Sequence, residues 1–213
     1  MGLIGLHYLR MNEYSITAWL LAASILMDGL DGKIARWLHA SSRFGCWFDT
    51  ISDFLVFGVL PGILVYFYQL NKLQITGLIL TGFYILCGGF RLIRFTIKTA
   101  SLSEKKPFIG LPIPAAAGWV ASFILIQSSS FPVSPLFTAF SMLMVSLLMI
   151  SKIIYLPLEI RKFPYPLNLL LVGVLIIIMV AAIWKTSWVF FVLIIIYIIS
   201  GPVSGLLQPP GNQ

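Results

Sequence analysis

The chain has 213 residues, of which 59% are hydrophobic and only 10% are charged, and its net charge is +7. Average globular chains are about 25% charged, so this composition excludes a soluble globular domain. The basic residues fall between apolar runs and form no single patch, which argues against a nucleic-acid partner and is typical of membrane topology. Several runs approach the roughly 20 apolar residues that a membrane-crossing helix needs, so the sequence predicts an all-α polytopic membrane protein.

Eight hydrophobic helices are predicted along the chain. Met1–Leu9 is too short to span a bilayer and is expected to be the second half of a first helix whose beginning is missing. Phe131–Pro135, which contains two prolines, is expected to be a loop. Seven full spans are predicted at Ser15 to about His39, Gly45–Tyr68, Ile75–Ile97, Ile109–Gln127, Pro135–Ile150, Leu167–Trp184 and Trp188–Leu207.

The basic residues predict which connections face the cytoplasm. Only Arg10, Lys72 and Lys185 lie in the odd-numbered connections between these helices. Because Lys and Arg favour cytoplasmic loops, the even-numbered connections are expected in the cytoplasm. These hold the other eleven of the fourteen basic residues: Lys33, Arg36, Arg43, Arg91, Arg94, Lys98, Lys105, Lys106, Lys152, Arg161 and Lys162.

All four aspartates of the chain lie between residues 28 and 53, at the cytoplasmic edge of two consecutive predicted helices. Asp28 and Asp31 are three residues apart, so they share one face of the first of these helices. Asp49 and Asp53 are four residues apart and share a face of the second. Because a short turn makes the two helices antiparallel neighbours, the four carboxylates are expected to converge in one cleft.

Four carboxylates this close need shared protons or bound cations, because ionising them at low dielectric costs several kcal/mol each. An all-carboxylate site suits Mg²⁺ or Mn²⁺, and four negative charges match two divalent ions. Two such ions about 3.5–4 Å apart form a clamp suited to displacement at phosphorus. A single aspartate at a helix end is often merely solvated, and a ring of acids would suit a cation channel. Four carboxylates at these spacings favour a site for two divalent cations.

Small and basic residues accompany the aspartates. Gly32, Ala35 and Gly45 leave room for a ligand to approach the backbone of the two helices. Arg36 supplies a fixed cation suited to phosphate oxygens. We therefore predict that these four residues bind a substrate that contains a diphosphate.

Residues 28–53 follow the pattern D-x2-D-G-x2-A-R-x8-G-x3-D-x3-D, which resembles the signature of the CDP-alcohol phosphotransferases at all eight fixed positions. The resemblance implies that the four aspartates are the ligands of two metal ions and that Asp53 is also the general base. It further implies that Gly32 and Arg36 hold a CDP-linked lipid.

A second resemblance lies in the middle of the chain, where RLIRF at 91–95 and FIGLPIPAAAG at 108–118 are similar to segments of the integral-membrane phosphatidylserine synthases. It implies a single domain over 1–213, with a six-helix core and two further helices at about 167–207. It also implies that Arg91 and Arg94 lie near the acceptor pocket, in a segment spanning 91–118. Their i, i+3 spacing places both on one helix face, although they could instead be ordinary cytoplasmic anchors.

The resemblance implies a transferase of phospholipid biosynthesis that moves the phosphatidyl group of CDP-diacylglycerol to the L-serine hydroxyl and releases CMP. Its partners would be these two substrates and membrane lipids, with no nucleic acid, and dimers are usual among such relatives. The active site is expected at the cytoplasmic face of the cell membrane. The alternatives are another acceptor, such as glycerol phosphate or inositol phosphate, an ether-lipid donor, or a non-catalytic cation-binding transporter.

Overall fold

The computed structural model describes residues 1–37, 43–100, 108–129, 133–155 and 186–202, and most of this part is helical. Two short strands, β1 (Phe108–Ile109) and β2 (Ile154–Tyr155), pair in antiparallel fashion. The helices confirm the all-α class. They are α1 (Gly2–Arg10), α2 (Tyr14–Trp37), α3 (Arg43–Asp53), a π-helical stretch (Phe54–Val59), α4 (Leu60–Tyr68), a 3₁₀ turn (Leu70–Leu73), α5 (Gln74–Ala100), α6 (Ile113–Ser129), α7 (Pro135–Ile150) and α8 (Thr186–Pro202).

The helices begin and end close to their predicted bounds. α7 coincides with the predicted span, and the continuous helix from α3 through α4 covers the span predicted at Gly45–Tyr68. α6 begins at Ile113 and not at residue 109, because Gly110 adopts a left-handed conformation (φ 81°) that a right-handed helix cannot include. The span predicted at Leu167–Trp184 lies outside the described residues.

Two helices of the described chain are long and apolar enough to cross a membrane, Trp47–Tyr68 with 22 residues and Leu70–Ile97 with 28. Shorter apolar helices accompany them, and the predicted total of eight spans stays a prediction. On α5, Tyr84, Cys87 and Arg91 are buried. The opposite side exposes an apolar stripe, which is expected where a helix contacts lipid. The stripe consists of Ile75, Leu78, Ile79, Leu86, Phe90, Ile93 and Ile97.

The interior forms where α2 packs along α6 and α5 packs along α7. Fully buried alanines on both sides of the first contact, Ala18 in α2 and Ala116, Ala117 and Ala121 in α6, allow the two backbones to approach closely. α6 also contacts the π-helical stretch. It therefore holds α2 beside the helix that follows it in the chain.

The π-helical stretch begins directly after Asp53, and the N–H of Leu60 donates to the carbonyl of Leu55, five residues earlier. Pro61 carries no N–H for the carbonyl of Phe57. The buried Tyr84 hydroxyl of α5 donates to that carbonyl instead, at 3.2 Å. Single π-helical turns occur frequently at functional sites, and this one lies next to the aspartates.

Candidate active site

Two helices bring three aspartate side chains together. α2 supplies Asp28, and α3 supplies Asp49 and Asp53 one turn apart. One oxygen of each carboxylate lies within 4.8 Å of the other two, and a hydrogen bond joins the side chains of Asp28 and Asp53. Asp28 and Asp53 are half-buried, whereas Asp49 is exposed. Three of the four aspartates predicted to converge therefore form one cluster in the described structure.

The chemistry of this cluster fits a divalent cation. Carboxylates at this separation repel one another unless a shared proton or a bound cation compensates their charge. A cation can replace that proton as the compensating charge. A set of hard oxygen donors favours Mg²⁺ or Mn²⁺ over softer metals. The residues present are therefore a suitable ligand set, while the identity and number of the ions stay predictions.

The remaining predicted residues of the 28–53 motif lie in the expected helices. Asp31, Gly32, Ala35 and Arg36 belong to α2, but their side chains lie outside the described part of the structure. Gly45 lies in α3, one turn before Asp49. Their roles in binding a metal or a substrate stay predictions.

Arg91 faces the interior of the protein beside the aspartate cluster. Only 6% of its surface is exposed, and its guanidinium lies over the ring of Phe95, 5.4 Å from the ring centre. It is also close enough to Asp53 for the two charges to attract each other. α5 thus adds a buried positive charge to the side of the cluster formed by Asp53.

Arg94, three residues further along α5, binds the end of another helix. Its guanidinium donates hydrogen bonds to the backbone carbonyls of Ile150 (3.1 Å), Met149 (3.4 Å) and Ser151 (3.4 Å), at the C-terminus of α7. The carbonyls at a helix C-terminus lack partners within the helix and carry partial negative charge, so a cation stabilises them. The two arginines predicted to lie near the acceptor pocket therefore have different surroundings. Arg91 lies beside Asp53, and Arg94 binds the end of α7.

Replacing Arg94 with alanine should therefore destabilise the protein by about 1.5–3 kcal/mol, the usual contribution of hydrogen bonds to a charged group. The measurement is the thermal unfolding midpoint of the purified protein in detergent. Lys72→Ala is the matched control, because Lys72 is an exposed cation at the end of the 3₁₀ turn. Equal midpoints for the two variants would show that the contacts with α7 contribute nothing to stability.

Sequence reasoning did not identify two residues near this region. Gly110 meets Arg94 and the end of α7, and a Cβ atom added to it would lie 2.6 Å from Nη2 of Arg94. The sequence Gly-Leu-Pro at 110–112, which is typical of a turn, was the signal that could have identified Gly110. Tyr197 of α8 lies within electrostatic range of Arg91. It sits in an apolar run far along the chain from Arg91, and the sequence carries no signal that links the two.

The chain is similar to known lipid-synthesising enzymes over most of its length. The model of the CDP-alcohol phosphatidyltransferase family matches residues 2–158. A CDP-diacylglycerol–serine O-phosphatidyltransferase of Helicobacter pylori (strain 26695) is 35% identical over 159 residues, which is 73% of this chain and 66% of the relative. The enzyme of that name from Bacillus subtilis is 32% identical over 77% of this chain and 83% of its own length. An archaetidylserine synthase of Methanothermobacter thermautotrophicus is 41% identical over 64% of this chain and 56% of its own.

The chain spans less than two thirds of the length of two H. pylori relatives, 66% of one and 54% of the other. The family match runs from α1 to just beyond β2, so it includes the aspartate cluster, Arg91 and Arg94, whereas α8 lies beyond it. Since the match covers most of the chain, the resemblance inferred from the aspartate motif is confirmed. The chain belongs to the CDP-alcohol phosphatidyltransferase family.

Proposed function

We propose that the chain transfers the phosphatidyl group of CDP-diacylglycerol to the hydroxyl of L-serine, forming phosphatidylserine and releasing CMP. The observation that carries this proposal is the convergence of Asp28, Asp49 and Asp53 beside the buried Arg91, in a chain of this family. Relatives that are 32–36% identical and are named for the same reaction support serine as the acceptor.

The four aspartates are proposed to hold two divalent cations, Mg²⁺ or Mn²⁺. Asp28, Asp49 and Asp53 already present oxygens to one point, and Asp31 lies one turn from Asp28 in α2. Four carboxylates balance the charge of two divalent ions, which offsets their mutual repulsion. When bound, such ions neutralise negative charge on the diphosphate and on the departing CMP.

Asp53 is proposed as the general base. It is the member of the cluster that interacts with both other aspartates and with Arg91. Its carboxylate accepts the proton of the serine hydroxyl while the serine oxygen bonds to the phosphorus that carries the lipid. The bond between that phosphorus and the CMP oxygen breaks in the same displacement. Arg91 is proposed to bind the acceptor, and Arg94 to support the wall of the site through α7.

The donor is proposed to bind along α2 and α3. Gly32, Ala35 and Gly45 leave room for the nucleotide and diphosphate to approach these helices, and Arg36 pairs with phosphate oxygens. The acyl chains remain against the apolar outer surface of the helices. Because the serine and the CDP headgroup are polar, the site is proposed to open towards water at the cytoplasmic membrane face.

The basic residues support this orientation. Arg94 contacts the end of α7, and Lys152 follows that end, so two of the cations assigned to cytoplasmic connections lie together. Cytoplasmic connections are enriched in such residues. We further propose one domain over 1–213, built from a six-helix core and two C-terminal helices of which α8 is the second, and assembled as a homodimer.

An ether-linked donor is the second candidate, and one relative favours it. The archaetidylserine synthase is 41% identical to this chain over 142 residues. Serine is common to the names of the bacterial and archaeal relatives, whereas the lipid differs. The choice of acceptor is therefore better supported than the choice of lipid tail.

The assay combines purified protein, Mn²⁺ or Mg²⁺, labelled serine and either CDP-diacylglycerol or its ether-linked counterpart. We expect metal-dependent CMP release coupled to labelled lipid, and no comparable product with glycerol phosphate or inositol phosphate. The B. subtilis relative, assayed in parallel, is the positive control. Absence of CMP while that control is active would contradict the proposal, and cation flux through proteoliposomes without CMP would favour a transporter.

A further inference from the structure

The helix that carries Asp49 and Asp53 changes its winding directly after Asp53. α3 ends there, and the π-helical stretch continues the chain as Phe54–Val59. A π-helical turn holds about one residue more than an α-helical turn, because its hydrogen bonds join residues five apart. Since each residue of an α-helix turns the chain by about 100°, the extra residue rotates α3 by about that angle relative to α4. The stretch therefore sets the direction of the two aspartates.

In an unbroken α-helix, Asp53 would lie on the face that packs into the protein interior. Positions i+4, i+7 and i+11 from Asp53 are Phe57, Leu60 and Leu64, and all three are buried. These intervals return to one face of an α-helix, so a carboxylate there would meet apolar side chains. The π-helical stretch turns Asp53 off this face. One of its carboxylate oxygens lies within 4.8 Å of an oxygen of each of the other two aspartates in the cluster.

A hydrogen bond from α5 holds the middle of the π-helical stretch. Tyr84 is only 1% exposed, and its hydroxyl donates to the carbonyl of Phe57 at 3.2 Å. Pro61 has no N–H, so an α-helical arrangement would offer this carbonyl no donor from the backbone. A buried carbonyl without a donor is costly. The stretch therefore cannot return to α-helical winding without drawing this carbonyl from the hydroxyl that satisfies it.

Close packing against α5 also holds the beginning of the stretch. A Cβ atom added to Gly89 would lie 3.2 Å from the ring of Phe54, the residue that follows Asp53. A Cβ atom added to Gly88 would lie 3.8 Å from the Cα atom of Gly58, so the two helix backbones approach each other closely. α5 thus contacts the stretch at its first residue and at its middle.

We propose that Tyr84 is a positioning residue for the metal site. By holding the carbonyl of Phe57, it keeps the π-helical stretch in its winding. The stretch in turn keeps Asp49 and Asp53 directed towards Asp28. This inference rests on the proposed function, since it assumes that the aspartates bind a divalent cation. Tyr84 acts through the backbone that follows the aspartates and touches neither the metal nor the substrate.

Tyr84→Phe tests the inference because it removes only the hydroxyl. The dissociation constant for Mn²⁺, measured by electron paramagnetic resonance on the folded protein in detergent, should rise about tenfold, because losing the donor of a buried carbonyl shifts a conformational equilibrium by about that factor. CMP release should be slower at low Mn²⁺ and return to within about twofold of the wild-type rate at saturating Mn²⁺, with the KM for serine unchanged. Tyr66→Phe in α4, a half-buried tyrosine beside Phe67, is the matched control and should behave as wild type.

Gly89→Ala disturbs the same stretch and leaves the Tyr84 hydroxyl in place. The added methyl group would lie 3.2 Å from the Phe54 ring, so the ring has to shift. We expect weaker Mn²⁺ binding again, whereas Gly82→Ala on the same helix, where a Cβ atom meets nothing within 4 Å, should bind Mn²⁺ as the wild type does.

A purely structural role for Tyr84 would lower the unfolding midpoint and leave the Mn²⁺ affinity of the folded protein unchanged. Such an unchanged affinity in Tyr84→Phe would overturn the inference. If that variant does not fold, an unchanged affinity in Gly89→Ala would overturn it instead.

The two proposals fail in different ways. If the wild-type chain binds no Mn²⁺, or if Asp49→Asn binds it as tightly as the wild type, the proposed metal site is wrong and the positioning role falls with it. If Asp49→Asn weakens Mn²⁺ binding and Tyr84→Phe does not, only the role of Tyr84 is wrong.

Discussion

Replacing Asp53 with asparagine should lower the rate of serine-dependent CMP release by about 10³-fold, the range expected when a general base is removed. Asparagine is nearly isosteric with aspartate, but its amide cannot take a proton from the serine hydroxyl. It also removes one negative charge from a cluster in which Asp53 interacts with Asp28, Asp49 and Arg91. The expected loss therefore combines a missing base with a weakened metal site, and the experiment has to separate the two.

Metal titration provides that separation. Rates are measured for Asp53→Asn and for Asp49→Asn over a wide range of Mn²⁺ concentrations, with Mn²⁺ affinity measured independently by electron paramagnetic resonance. A residue that only binds metal should regain much of its rate when Mn²⁺ is saturating, whereas loss of the base should persist. Glu13→Gln, the same chemical change at an exposed carboxylate at the start of α2, is the control. Full recovery of Asp53→Asn at high Mn²⁺ would remove its role as the base.

The sequence was sufficient to predict the described helices and the meeting of three of the four aspartates, because both depend on short-range rules. In lipid, backbone groups must be paired within the segment, so an apolar run of suitable length predicts a helix. Residues three or four apart share a helix face, so the spacing of Asp49 and Asp53 placed both on the side that meets Asp28. No long-range contact had to be known beyond the antiparallel arrangement of two consecutive helices.

The difference between Arg91 and Arg94 could not be predicted in the same way. Residues three apart differ by only about 60° around a helix, so spacing predicts a shared face and nothing finer. Which guanidinium lies beside Asp53 depends on where α7 ends, and that end lies 56 residues beyond Arg94 in the chain. α7 ends at Ile150. Among the described hydrogen bonds, those to the carbonyls at this end come from Arg94 and not from Arg91. The electrostatic interaction between Tyr197 and Arg91 is of the same long-range kind.

The π-helical stretch shows a different limit. Pro61 has no N–H, so a helix that runs through it leaves the carbonyl of Phe57 without its usual partner, but a kink, a water molecule or a side chain can each resolve this. The donor is Tyr84, which lies on another helix. The position of Pro61 determines which carbonyl lacks a helical partner, whereas the donor that satisfies this carbonyl depends on how α5 packs.

Gly110→Ala should destabilise the protein by about 3 kcal/mol or more, because it combines backbone strain with a steric clash. The backbone of Gly110 has φ 81°, which residues with a Cβ atom rarely adopt. The added Cβ atom would also lie 2.5 Å from the carbonyl oxygen of Met149 and 2.6 Å from Nη2 of Arg94. The Met149 oxygen belongs to the backbone of α7 and cannot move without disturbing the helix end that Arg94 binds.

The same substitution should also reduce activity by displacing residues of the candidate active site, because Gly110 lies where three elements meet. Its N–H donates to the carbonyl of Ile153 at 2.8 Å, and the N–H of Leu111 donates to the carbonyl of Leu148 at 3.0 Å. Displacing this turn would pull the end of α7 from Arg94 and free the part of α5 that carries Arg91. We therefore expect a lower unfolding midpoint in detergent together with a raised KM for serine.

Gly82→Ala on α5 is the matched control, since a Cβ atom there would meet nothing within 4 Å. Because alanine favours helix over glycine by about 1 kcal/mol, this variant should unfold at the same or a slightly higher temperature. If Gly110→Ala and Gly82→Ala had equal midpoints, the turn at Gly110 would be able to relax, and the close contact between β1, α7 and Arg94 could not be what holds α5 in position. If only stability fell and serine binding did not, Arg91 would be positioned by the interior of α5 and by α8 instead.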